Sequence, residues 1–167
     1  MHFTANGVDL GYTFLDFCDW AACSRRNEQV LQMLMEYVVS KALDCVKTTY
    51  KTPKNQECCY QTMRDGRKLA VLTGSYVRSL CQEHPDCIGF NVVASAKDPD
   101  IFVFCVNRSM SAFSIPTNLD VWDFYVIRGS DLERLCSAEV ATLPGLLSLQ
   151  PIKCSFAGIW QAVRRME

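Results

Sequence analysis

Asp65-Gly66-Arg67-Lys68-Leu69-Ala70-Val71-Leu72-Thr73-Gly74-Ser75-Tyr76 is the stretch on which the reading of this chain turns. Asp-Gly is a strong tight-turn signal, and the branched apolar run that follows fits a buried strand. The pattern predicts a hairpin: a short strand at Glu57–Met63, the Asp65-Gly66 turn, and a second strand at Lys68–Ser75. Side chains alternate along extended backbone, so Lys68, Ala70 and Leu72 share one face of that second strand.

Downstream, Cys87–Ala94 reads as a third strand. Asp100–Asn107 is an apolar run of the kind found at the centre of a sheet. In Val121–Ile127 the alternation places Trp122, Phe124 and Val126 on one face, with Val121, Asp123, Tyr125 and Ile127 on the other. Ser130 is expected to cap a short helix at Asp131–Cys136, Gly145–Gln150 to be extended between Pro144 and Pro151, and Ser155 to cap a terminal amphipathic helix.

Upstream, a helix is expected from Ser24 or Asn27 to Asp44, with Leu31, Leu34, Met35, Val38 and Ala42 along one stripe. Tyr12, Phe14, Phe17 and Trp20 should pack across it. Lys47 to Gln56, with Pro53, reads as a polar connection. The order of elements gives one α/β domain spanning 1–167, a mixed sheet with the first helix on one face.

The 167 residues suffice for a proper core, and 49% hydrophobic with 21% charged residues argues against disorder. A net charge of -1 supplies no global attraction to nucleic acid, although a local basic patch can exist in a neutral chain. No apolar run approaches the ~18–20 residues of a membrane span, and the first residues lack signal-peptide character, so a cytoplasmic location without a membrane partner is the expectation. Ten cysteines are many for such a protein. Several lie inside apolar runs, Cys45 and Cys105 among them, and read as small hydrophobes.

Other chemistries find little support. Cys81, His84 and Cys87 are zinc-ligand types, but no tight Cys pair accompanies them. Cys58 and Cys59 would point to opposite faces of a strand. A Cys–His catalytic pair would have to use His2 or His84. Phosphate-cradling glycine loops are absent. The basic clusters are Arg25-Arg26, Lys51 to Lys54, Arg64-Arg67-Lys68 and Arg164-Arg165.

Several blocks in order resemble a group of poorly characterised bacterial proteins with the PD-(D/E)xK restriction-endonuclease-like fold. They are Phe17-Cys18-Asp19-Trp20-Ala21, Met35 to Leu43, Tyr60-Gln61-Thr62-Met63 with Asp65-Gly66, Ser75-Tyr76, Asp100 to Cys105, and Leu119 to Val126. The resemblance spans roughly Phe14 to Gln150. It implies a mixed β-sheet core flanked by an N-terminal and a C-terminal helix. It also implies a nuclease site with an Asp at position 61, a Glu at 70 and a Lys at 72, where this chain has Gln61, Ala70 and Leu72.

Such a site needs Mg²⁺ held by carboxylate oxygens, with a lysine to help activate water. Gln61 offers one neutral carbonyl, and Ala70 and Leu72 offer nothing. No lysine in the chain has Asp or Glu two residues before it, so Glu-x-Lys has not shifted register. The expectation is a pseudonuclease with no catalytic residues, no metal and no cofactor, binding DNA or a protein partner. The resemblance suggests that Arg25, Arg26, Lys51, Lys54, Arg64, Arg67 and Lys68 border the former cleft and meet phosphates. The alternative is an active Mg²⁺-dependent endonuclease whose ligands have moved to Glu36, Asp65 and Lys68, with Glu57 nearby.

Overall fold

The chain was examined as a computed structural model, which describes residues 2–5, 8–13, 27–51, 57–76, 88–92, 99–108, 119–132 and 140–166. Its centre is β8 (Ile101–Asn107), whose first six residues are all buried. Parallel to it on one side lies β5 (Lys68–Thr73), with Leu69 opposite Ile101 and Leu72 opposite Phe104. Antiparallel on the other side lies β9 (Trp122–Arg128). β4 (Glu57–Thr62) and β3 (Val46–Lys51) extend the sheet beyond β5, and β11 (Ile152–Cys154) extends it beyond β9. The strand order is β11-β9-β8-β5-β4-β3, and β5–β8 is the parallel pair.

The β4–β5 hairpin forms where the sequence places it. Met63 N–H donates to Arg67 O at 2.9 Å, and Gly66 sits at φ 87°. That leaves Arg64-Asp65-Gly66 as a three-residue loop with glycine in the left-handed position that such loops require. Asp65 Oδ1 accepts from Arg67 N–H at 3.0 Å and Oδ2 from Arg67 Nε–H at 2.8 Å, which locks the turn.

Both faces of the sheet are covered. On one, α1 (Asn27–Leu43) and α4 (Ile159–Arg164) enclose a core that includes Met35, Val39, Leu69, Val71, Val103, Phe124, Ile159 and Val163. The first and last helices therefore share a face. On the other, Phe90, Phe102, Phe104, Tyr125, Ile127, Leu132 and Leu146 form a second core. Covering it are α2 (Gly129–Leu132), α3 (Leu143–Ser148) and a three-stranded sheet, β10 (Val140–Thr142), β7 (Ile88–Asn91) and β6 (Ser75–Tyr76). β1 (His2–Ala5) and β2 (Val8–Thr13) pair as a separate antiparallel ribbon. Gly74 lets the chain step from β5 into the smaller sheet: a Cβ there would lie 2.6 Å from Ile88 Cγ2.

Some sequence expectations need correction. Much of the Lys47–Gln56 connection is an edge strand, because Val46–Lys51 alternates and pairs along the whole of β4. Gly145–Gln150 is not extended. Thr142 caps α3 by accepting from Gly145 N–H at 3.3 Å, and Pro144 occupies the first turn, where it costs no hydrogen bond. The short helix begins at Gly129 rather than Asp131. Ser155 starts a 3₁₀ turn, Phe156–Gly158, without a side-chain cap bond, and α4 follows it. Val121 belongs to the 3₁₀ turn Leu119–Val121 and packs with the α1-side core, so the alternation begins at Trp122. Phe14, Phe17 and Trp20 lie outside the described residues.

Candidate functional site: a polar seam beneath the first helix

α1 crosses β5 on a row of polar side chains. Gln32 Nε2 donates to Val71 O at 2.6 Å and to Glu36 Oε1 at 2.9 Å. Gln32 Oε1 accepts from Thr73 N–H at 2.8 Å and Thr73 Oγ1 at 2.9 Å. Glu36 Oε2 pairs with Lys47 Nζ at 3.1 Å. Lys47 is the cross-strand neighbour of Gln61, whose Nε2 donates to Glu36 O at 2.6 Å. Gln61 is 3% exposed, and its Oε1 has no hydrogen-bond partner among the described residues.

The seam gathers Glu36 and Gln61 but excludes the other two nuclease-like positions. Gln61 stands opposite Leu69, and Leu69 and Val71 belong to the core under α1. Ala70 and Leu72 face the other way and pack against the second core. Leu72 pairs across the strands with Phe104, whose ring meets Phe90 edge-on at 4.8 Å. A lysine at this position would direct its ammonium group into an aromatic core.

The relocated candidates are equally dispersed. Glu36 is on the α1 face. Asp65 is in the exposed turn, where its bonds to Arg67 hold the carboxyl below the usual carboxylate range. Lys68, on the Ala70 face, places its ammonium 5.1 Å from the centre of the Tyr60 ring.

Among the basic residues, Arg64 pairs with Asp44 and Arg67 with Asp65. Lys51 lies in the edge strand β3, and Glu57 opens β4. Arg25, Arg26, Lys54, Cys81, His84 and Cys87 lie outside the described residues.

The donor set does not fit a resident Mg²⁺. That ion is bound through carboxylates in near-octahedral geometry. The seam has one carboxylate, with one oxygen engaged by an amide and the other by an ammonium. Among the described residues no three His, Cys, Asp or Glu gather closely enough to hold a metal.

Two features escaped the sequence reading. Gln32 was silent because a glutamine beside an apolar stripe is unremarkable; its i,i+4 spacing to Glu36 was the available signal. The second is a cleft of about 370 Å³ lined by Arg108, Asp120, Trp122, Asp123 and Lys153 among others. There Asp123 receives Lys153 Nζ at 2.8 Å and Arg108 Nε at 3.4 Å, and this contact raises the Lys153 pKa. Both cations are held by Asp123, whose contacts join β9, β11 and the end of β8.

The thiols of Cys45, Cys105 and Cys154 are unactivated. Burial pushes Cys45 and Cys154 up to about 11, and fully buried Cys105 higher still. A thiol needs the opposite shift to become a nucleophile. No helix among the described residues is long and apolar enough to cross a membrane. Compared with known proteins, the chain matches no family model, no curated protein and no solved structure.

Proposed function

We propose that this chain is a restriction-endonuclease-like domain that acts as a binding module without catalysis. The topology supports the architectural part: a helix, an antiparallel β3-β4-β5 meander, and a further strand, β8, added parallel to β5. The observation that carries the functional part is the split of the three nuclease-like positions between two faces of the sheet. Gln61 is committed to the backbone of α1, while Ala70 and Leu72 are packed against a hydrophobic core. Phosphodiester hydrolysis needs acid, ammonium and metal to converge within a few ångströms of one phosphate. Two opposite faces of one sheet cannot provide that.

The test is a cleavage assay on plasmid, linear duplex and single-stranded substrates with Mg²⁺ and Mn²⁺. The expected result is no product above a buffer control, for wild type and Glu36→Ala alike. Metal-dependent cleavage that disappears in Glu36→Ala would overturn the proposal.

A further inference from the structure

Arg64 and Arg67, at the Asp65 turn, each lie beside an aspartate that offsets part of their charge. The last helix is different. Trp160 on α4 is 48% exposed, whereas Trp122 is 2% exposed. Arg164, one turn on, places its guanidinium 5.9 Å from the centre of the Trp160 ring. Arg164 and Arg165 are both exposed, and among the described residues no carboxylate pairs with either. Arg128, also exposed, reaches the same segment by donating from Nε to Met166 O at 3.2 Å.

A protein of net charge -1 thus sets two exposed arginines in succession, Arg164 and Arg165, with the first of them over a half-exposed indole. The opposite face of α4 is sealed into the core by Ile159, Ala162 and Val163, so the surface is held rigidly. Arginine suits planar stacking and phosphate contact together. Aromatic rings flanked by cations are how proteins hold unpaired bases: the ring stacks on a base and the cations follow the backbone.

We propose that Trp160, Arg164 and Arg165 form a docking surface for single-stranded nucleic acid. This rests on the binding-module reading above and names its partner class. The stacking requirement favours single strands, because the bases of a duplex are already stacked on one another.

The test is fluorescence anisotropy with labelled oligo-dT and oligo-rU of about 20 nucleotides, titrated with protein at several salt concentrations. Wild type should bind, with affinity falling steeply as salt rises. The pair Arg164→Gln/Arg165→Gln should weaken binding about tenfold and flatten the log–log salt slope by one to two. Trp160→Ala should weaken it about tenfold or more while leaving the slope unchanged. Arg64→Gln/Arg67→Gln should change it by less than about twofold, since both lie outside the proposed surface. All these side chains except Arg67 are largely exposed, and circular dichroism should confirm that the variants fold.

If Arg64→Gln/Arg67→Gln abolishes binding and the α4 variants do not, the surface is wrong while a nucleic-acid-binding module stands. Equal affinity for duplex, indifferent to Trp160→Ala, removes the stacking role and overturns the inference. So does wild-type protein that ignores both oligonucleotides, whether or not it binds phosphatidylserine vesicles. That result leaves the non-catalytic reading to the cleavage assay.

Discussion

Two glutamines beneath α1 do different jobs. Gln32 uses both ends of its amide to bind the edge of β5, so it acts as a pin between helix and sheet. Gln61 uses only its nitrogen, leaving a buried carbonyl oxygen without a partner among the described residues. Removing the first strands Val71 O and Thr73 N–H; removing the second also removes an unsatisfied acceptor. Gln32→Ala is therefore expected to destabilise the fold by about 2–3 kcal/mol, and Gln61→Met by no more than about 1 kcal/mol. Thermal unfolding should separate them, with a midpoint lowered by about 5–10 °C in the first case and about 3 °C or less in the second. Equal losses would mean that the seam does not anchor the helix.

At the scale of elements, packing on both faces explains why β5 is uncharged from Leu69 to Thr73. Leu69 and Val71 line one core, and Ala70 and Leu72 border the other. Rebuilding the nuclease pattern with Gln61→Asp/Ala70→Glu/Leu72→Lys is expected to give no metal-dependent cleavage. It should lower the urea midpoint, because Leu72→Lys puts an ammonium beside Phe104 and Gln61→Asp buries a shorter acid. Cleavage by this variant would show that the split between faces has been misjudged.

The end of α1 offers a second check. Asp44 sits at φ 54°, and Cys45 N–H closes back on Ser40 O at 2.9 Å, the arrangement that normally selects glycine. The Asp44–Arg64 pair there is largely exposed and contributes little. Asp44→Gly should thus stabilise the protein by about 0.5–1 kcal/mol, seen as a higher urea midpoint with an unchanged slope.

For the molecule as a whole, one buried and two half-buried thiols set an alkaline limit. Cys45, Cys105 and Cys154 all have raised pKa values because burial opposes the thiolate. Their stabilising effect is complete below the unfolded thiol pKa of about 8.5–9. Above it the unfolded chain releases protons that the folded chain keeps, so stability falls as pH rises. Chemical unfolding from pH 8 to 11 should show a declining midpoint. The fully buried Cys105 alone accounts for a slope of up to about 1.4 kcal/mol per pH unit above pH 9. Cys105→Ala should start from lower stability and decline less steeply. A midpoint that stayed flat across this range would contradict the burial of these groups.

The sequence by itself determined the local chemistry: the Asp65-Gly66 turn, the α1 helix (though its buried stripe runs through Met35, Val39 and Leu43 rather than Ala42), the central position of Ile101–Asn107 and the absence of Glu-x-Lys. Each of these depends on residues within a few positions of one another, where periodicity and turn stereochemistry act directly. It also showed that Lys68, Ala70 and Leu72 share a face. Tertiary structure decided what that face touches. Only packing placed Gln61 and Glu36 on the other side, brought both terminal helices to one surface, paired Arg64 with Asp44, and left Trp160 and its arginines in solvent. The physical reason is that which side of a strand or helix becomes interior depends on partners many residues away, and no local pattern specifies them.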